Sequence, residues 1–329
     1  MKRIFSGIQP SGRLHIGNYF GAIKNWLQLQ NEYQCIWGIV DYHAITVPYK
    51  TDELEERVID CTASYLAAGL DPEKSILMIQ SKVKAHTELT WILNTISPIS
   101  WLERVPTYKD KSKQFSSNLN MGLLDYPVLM AADVILYKAN AVPVGEDQLP
   151  HLELCREIVR RFNHIFGKTF PEPKAIIKKG AFVKGLDGKN KMSKSLNNCI
   201  YLDENPDDIW EKLSTAVTDP QRVRKTDAGN PEICNIFSLH KLLSSKSQIE
   251  YCKVGCQTAD IGCLECKKIL SENIIQELSP IRARLIELKK NKKYLKEILM
   301  NGIEKSRKIA EQTMTEVYDK IGIKYKFLK

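Results

Sequence analysis

"RIFSGIQPSGRLHIGN" occupies residues 3–18 and sets the reading of the whole chain. Residues 3–8 are mostly apolar and are stopped by Pro10 and Gly12, as at the end of a buried strand. From Ile16 the period changes: Ile16, Phe20, Ile23 and Leu27 recur at helical spacing. A strand that turns directly into a helix opens a parallel βαβ unit, and the pattern repeats downstream. Residues 35–40 (CIWGIV), 75–80 (SILMIQ) and 141–145 (AVPVG) read as strands, the last with its turn. Residues 52–68, 87–95, 127–137 and 148–162 read as helices. Such alternation predicts an α/β fold with a doubly wound parallel sheet. Residues 109–120 and 178–190 are polar and read as loops. Beyond residue 200 strand patterns nearly vanish and helices are expected over 269–300 and 303–320. Two domains follow, 1–200 and 201–329.

The turn between the first strand and first helix lies at the carboxyl edge of such a sheet, where ligands bind. Ser11, Gly12 and Gly17 let backbone N–H groups approach an anion, and the helix N-terminus adds partial positive charge. His15 offers a ring donor to a phosphate oxygen. The pattern is neither a G-x-G-x-x-G dinucleotide fingerprint nor a G-x-x-x-x-G-K-[ST] loop. A second stretch, KMSKS at 191–195, ends the Gly- and Lys-rich loop. Two ammonium groups three residues apart, with two hydroxyls, suit a departing pyrophosphate.

The net charge is +9, and residues 267–329 hold 16 Lys and Arg against 8 Asp and Glu. The last fifth of the chain therefore carries nearly all the excess, as a solvated helical face or a polyanion-binding surface would. MKRIFSGIQPSG has no apolar signal core, and no apolar run approaches the roughly 20 residues of a membrane span. A cytoplasmic chain with no membrane partner is expected, in which nine cysteines remain reduced.

Taken together, H-I-G-N at 15–18 and K-M-S-K-S at 191–195 resemble the two signature sequences of class I aminoacyl-tRNA synthetases. FSGIQPSGRLHIGNYFGA (5–22), VDYHAIT (40–46), MAADVILY (130–137) and VPVGEDQ (142–148) narrow the resemblance to the bacterial tryptophanyl-tRNA synthetases. It runs continuously from Ile4 to about Ser195, and more weakly through TAVTDP (215–220) and the tail. The resemblance implies a Rossmann-like catalytic domain followed by a mostly helical tRNA-binding domain, in a homodimer. It implies a two-step reaction: L-tryptophan and Mg²⁺-ATP give tryptophanyl-adenylate, which the 2′-hydroxyl of the terminal adenosine of tRNA(Trp) then attacks. Gln9, Pro10, Ser11, Gly17, Asn18, Gly145, Glu146, Asp147 and Val183 match the family's ATP-contacting positions, together with Lys191, Met192, Ser193, Lys194 and Ser195. His15, Lys111, Lys191 and Lys194 are the expected catalytic groups at the phosphates. Asp133 is expected to accept the indole N–H. Phe5, Gly7, Met130 and Val144 are expected to wall the indole slot, with His43 and Gln148 at the polar end. A tyrosine-specific enzyme of the same family is the nearest rival reading.

CKVGCQTADIGCLEC (252–266) holds four cysteines in fifteen residues. With Cys234, three of them give the order C-x21-C-x6-C-x2-C: Cys234, Cys256, Cys263 and Cys266. This resembles the C-x22-C-x6-C-x2-C pattern by which some bacterial relatives hold a [4Fe–4S] cluster, one residue shorter in the first gap. Cys252 then competes with Cys234 as fourth ligand. A Cys₄ zinc site also fits the spacing, and free thiols are the third reading. Cys35, Cys61, Cys155 and Cys199 sit singly in core-like patterns and are expected to pack.

Overall fold

The computed structural model of the chain describes residues 2–10, 12–106, 119–177, 183–194 and 196–325. Five strands form one parallel sheet: β1 (Arg3–Ile8), β2 (Gln34–Ile39), β3 (Ser75–Ile79), β4 (Ala141–Val144) and β5 (Lys174–Ile177). Their order is β3-β2-β1-β4-β5, so the winding reverses beside β1 and the sheet is doubly wound as expected. β5 escaped the sequence reading. It is only four residues long, with no fully buried position, and its apolar run at 175–177 is too short to stand out as a strand.

The helices are α1 (Leu54–Ala67), α2 (Ala85–Asn94), α3 (Met121–Leu136), α4 (Leu149–Phe166), α5 (Pro206–Thr215), α6 (Asn235–Leu243), α7 (Lys246–Gln257), α8 (Cys263–Lys290) and α9 (Lys292–Ile321). The first helical run is not uniform, because Tyr19–Ile23 is π-helical between the α-helical pieces Ile16–Asn18 and Lys24–Leu29. No described helix is long and apolar enough to cross a membrane.

The chain forms two compact units. One comprises residues 1–12, 25–179 and 291–329; the other comprises 13–24 and 180–290. The first holds the sheet, with Trp26 stacked on Trp37 at 4.5 Å and Tyr65 edge-on to Trp26, all fully buried. In the second, α5 and α8 pack together, and residues 14–16 pair along 200–202. There Ile16 N–H donates to Ile200 O and Leu202 N–H donates to Leu14 O, both at 2.9 Å.

The tail helices break at Asn291, whose side chain accepts from Tyr294 N–H at 3.1 Å, rather than near residue 301. The sequence invites the error, since Gly302 looks like a helix end. Instead Gly302 is buried inside α9 where its backbone meets β3, and a Cβ there would run into the Leu77 carbonyl. G302A should therefore lower stability by about 3 kcal/mol, near the upper end for overpacking. An unchanged urea midpoint would show that α9 does not need this close approach.

Candidate active site

At the carboxyl end of the sheet, Asp133 of α3 is the hub of a buried polar network. It is 2% exposed. His43, two residues into the short helix after β2, donates its Nε2–H to Asp133 Oδ2 at 2.8 Å. The Gln80 amide, just past β3, donates to both carboxylate oxygens at 2.7 and 2.8 Å. Its orientation is fixed because Gln80 Oε1 accepts Tyr42 N–H at 3.1 Å. His86 of α2 donates Nδ1–H to Oδ1 at 2.6 Å, and its Nε2 faces the Tyr137 hydroxyl at 2.8 Å. The carboxylate accepts from each ring because an ionised carboxyl has no proton to give. Burial pushes the Asp133 carboxyl up, but the charges and hydrogen bonds of His86 and His43 outweigh it and hold it at about 2.

Phe5 of β1 is buried and stacks on Tyr137 at 5.5 Å and 11°. Gly7 leaves room for Val40, whose Cγ1 would lie 2.7 Å from a Cβ. Met130 and Val144 are half-buried, as wall residues of a slot would be. Gln148 donates to Asp147 Oδ2 at 3.0 Å, and Asp147 Oδ1 lies where a Cβ on Gly145 would come within 2.5 Å. Gly145, Glu146 and Asp147 follow β4, while Gln9 and Pro10 follow β1. Both groups therefore leave the sheet at its switch point, the place where open α/β sheets bind ligands.

The two signature stretches meet in the other unit. His15 is 6% exposed, and its Nδ1 has no hydrogen-bond partner among the described residues. Gly17 permits this packing, since a Cβ there would lie 2.8 Å from His15 Nδ1 and 3.1 Å from Met192 Cβ. Asn18 Oδ1 accepts His15 N–H at 3.1 Å. Burial, helped by the charges of Lys194 and Lys191, pushes His15 down to about 4. The His15 ring is thus neutral and buried beside two ammonium groups.

The loop bearing Lys191 and Lys194 is ordered by contacts the sequence did not advertise. Asp187 accepts from the backbones of Lys189 and Asn190 and from the side chains of Asn190 and Asn198. These bonds, led by that from Asn190, hold the Asp187 carboxyl at about 2. Val183 is 2% exposed and its carbonyl accepts Met192 N–H at 2.9 Å. Ser193 N–H donates to Asn198 Oδ1 at 2.7 Å. Three residues expected at the site, Ser11, Lys111 and Ser195, lie outside the described residues. Gln80, His86, Tyr137, Asp187 and Asn198 were missed; only the "DG" and "NN" turn signals hinted at the last two.

A measurable consequence follows for His15. Its folded value lies below the unfolded one, so between about pH 4 and 6.5 only the unfolded chain takes up this proton. Stability therefore rises with pH across that window, by on the order of 3 kcal/mol. Urea titrations at pH 4.5 and 7 should show a smaller pH difference in H15Q than in the unsubstituted chain. An equal difference would mean that His15 titrates normally in the fold.

Among the cysteines, Cys35, Cys61, Cys155 and Cys199 are all buried at 1% exposure or less. Cys234 precedes α6, Cys256 lies near the end of α7, and Cys263 and Cys266 open α8. Contact with Cys252 and burial push the Cys266 thiol up, and burial pushes Cys256 up. Arg222 Nη1 lies 3.7 Å from Cys256 Sγ, and Gly229 makes room for that sulfur, which a Cβ would approach to 2.6 Å. Cys252 is closer to Cys266 than sequence spacing indicates. Its hydrogen bond with Cys266, with His240 adding, pulls the Cys252 thiol down.

The family of class I tRNA synthetases for tryptophan and tyrosine (W and Y) matches residues 1–279. A tryptophan–tRNA ligase of Deinococcus radiodurans is 49% identical over 98% of this chain and 99% of its own length. That of Thermotoga maritima is 43% identical over 96% and 97%. Among solved structures, the tryptophanyl-tRNA synthetase of Campylobacter jejuni complexed with ADP and tryptophan superposes with a TM-score of 0.88. It is 38% identical and covers 97% of this chain and 99% of that one. On the family match and these near-full-length likenesses, the chain belongs to the class I tRNA synthetases of the tryptophan and tyrosine branch.

Proposed function

We infer that the chain is a tryptophan–tRNA ligase of the bacterial type. It activates L-tryptophan with Mg²⁺-ATP and transfers it to the 2′-hydroxyl of the terminal adenosine of tRNA(Trp), releasing AMP and diphosphate. The observation that carries this reading is near-full-length likeness to tryptophan–tRNA ligases, at 49% identity to that of Deinococcus radiodurans. The buried Asp133 hub supplies its chemistry.

Tryptophan brings a ring N–H that needs an acceptor. Asp133 offers two oxygens, each with two acceptor positions. Three donors engage all four, because Gln80 contacts both oxygens. The shared Gln80 contact is the one that can be given up: the amide swings onto one oxygen and the indole N–H takes the freed position. Phe5, Gly7, Met130 and Val144 wall the ring, while His43 and Gln148 meet the polar end. A tyrosine side chain presents no N–H at that place, so the carboxylate is left short of a partner and tyrosine is rejected.

For ATP, the reading assigns Gln9, Pro10, Ser11, Gly17, Asn18, Gly145, Glu146, Asp147, Val183 and the 191–195 stretch. His15, Lys111, Lys191 and Lys194 act on the phosphates. The two lysines near His15 place positive charge where negative charge grows as pyrophosphate leaves. Mg²⁺ arrives with ATP as part of the substrate. Functionally, residues 1–200 carry activation and 201–329 carry tRNA recognition. Exposed Lys292, Lys293, Lys296, Lys305, Arg307 and Lys308 on α9 provide phosphate-binding charge. A cytoplasmic homodimer is part of the reading. Trp91, Ile99 and Met121 stand 72, 64 and 73% exposed on neighbouring helical segments, as a buried subunit interface would require.

Cys234, Cys256, Cys263 and Cys266 would hold a [4Fe–4S] cluster, for which four soft thiols are the usual ligands, with the Arg222 guanidinium beside Cys256. Bound there, the cluster would clip α6, α7 and α8 together. Zinc is the alternative occupant.

Acid-gel analysis of a mixed tRNA pool is the test. The reading expects tryptophan to accumulate on tRNA(Trp) alone; charging of another tRNA, or none, would overturn it.

A further inference from the structure

The four-cysteine reading leaves His240 and Cys252 unused, yet these two and Cys266 are the most tightly gathered donors of their kind among the described residues. Their ligand atoms all lie within 4.8 Å of one another. His240 comes from α6, Cys252 from α7 and Cys266 from α8. His240 and Cys252 have no exposed surface, and Cys266 is half-buried. His240 Nε2 stands 3.3 Å from Cys266 Sγ and 3.9 Å from Cys252 Sγ. A tetrahedral zinc ion with bonds of about 2.3 Å to sulfur and 2.0 Å to nitrogen sets S···N near roughly 3.5 Å and S···S near roughly 3.8 Å. The two nitrogen–sulfur spacings are about those of such a tetrahedron, and the two sulfurs lie within 4.8 Å of each other.

The surroundings of the ring point the same way. A metal-bound histidine presents one nitrogen to the ion and has the other fixed by a hydrogen bond. His240 Nδ1 lies 2.7 Å from Ser244 Oγ. Asn273 donates to Ser244 Oγ at 2.8 Å, and Gln248 holds Asn273 at 3.1 and 3.2 Å. Nε2 is thereby turned to the two sulfurs. The Cys266 carbonyl oxygen also lies 3.1 Å from Nε2, so without metal that nitrogen carries the proton and donates there. Ser244 can donate to Nδ1 in that tautomer or accept from it in the other. Metal binding needs the second tautomer and releases the two thiol protons to solvent.

We propose that His240, Cys252 and Cys266 form a second metal site, which takes zinc or another soft divalent ion and leaves its fourth position to water. Because Cys266 belongs to both donor sets, zinc here and a four-iron cluster on Cys234, Cys256, Cys263 and Cys266 are alternative occupants. The inference does not depend on the aminoacylation reading.

The test uses the full chain, purified anaerobically and stripped of metal by chelation, with Co²⁺ as the probe. Thiolate-to-cobalt charge-transfer absorption and the d–d bands of a tetrahedral site report binding. One equivalent should bind, and one equivalent of Zn²⁺ should bleach the signal. C252S and H240N should each weaken binding by about 100-fold or more, and S244A, which removes only the ring's orienting partner, by about tenfold. C234S and C256S should leave the affinity within about threefold of the unsubstituted chain. Far-UV circular dichroism and thermal midpoints verify that each variant is folded. Two results would overturn the proposal: no cobalt bound, or binding lost in C234S and C256S but retained in C252S, H240N and S244A. Tryptophan-dependent pyrophosphate exchange in the same samples reports on the enzyme separately.

Discussion

Replacing Asp133 by alanine should reduce kcat/KM for tryptophan activation by about 10²–10³, with little change in the KM for ATP. Two effects combine. The indole N–H loses its acceptor, a loss of about 1–3 kcal/mol for a buried hydrogen bond. His43, Gln80 and His86 also lose the carboxylate that aligns them, since all three donate to it at 2.6–2.8 Å. That second effect reaches the fold as well. Breaking a buried charged pair typically destabilises by about 3–5 kcal/mol, so a lower urea midpoint is expected alongside the kinetic defect. D133N separates the two: it keeps the shape and one acceptor oxygen, and should recover part of the stability while discriminating less sharply against tyrosine. If D133A activates tryptophan at the original rate, Asp133 does not read the indole and the tyrosine-type reading gains.

Replacing Lys194 by alanine should slow adenylate formation by about 10²–10³ while leaving tryptophan affinity nearly unchanged. The reason lies in where its charge acts. Lys194 and Lys191 are close enough to depress His15, so all three stand where the proposed reading puts the phosphates. Positive charge at that point matters most when pyrophosphate departs, so the loss should fall on kcat rather than on binding. The same variant carries a second readout. His15 should rise from about 4 yet stay below 6.5, because burial is the larger cause and remains. A rapid-quench burst and the His15 ring resonances as a function of pH measure both. An unchanged burst with an unchanged His15 titration would remove Lys194 from the phosphate site.

Much of this was legible in the chain because the informative segments have one strong period each. The first three strands alternate cleanly with helices, and β1 runs straight into its turn. β5 was lost because Lys174 and Ile177 face solvent at a short sheet edge. The break expected between 300 and 303 failed for the opposite reason: Gly302 there is a point where a helix backbone touches a strand. At the candidate site, the sequence singles out residues with conspicuous chemistry, including Asp133, His15 and the lysine pair. Gln80 and His86 were not, because a Gln at a strand end and a His on a helix are ordinary until the fold turns them onto one carboxylate. The cysteines show the same limit. Sequence spacing groups Cys256, Cys263 and Cys266 with either Cys234 or Cys252, while packing of α6, α7 and α8 adds His240, which spacing does not relate to them.

The central claim is that this chain activates tryptophan. Amino-acid-dependent ATP–pyrophosphate exchange, measured with each of the twenty amino acids in turn, tests it most directly. Exchange is expected with tryptophan, none above background with tyrosine, and the tryptophan signal should be lost in D133A and K194A. Exchange driven by tyrosine, or no exchange with tryptophan, would contradict it.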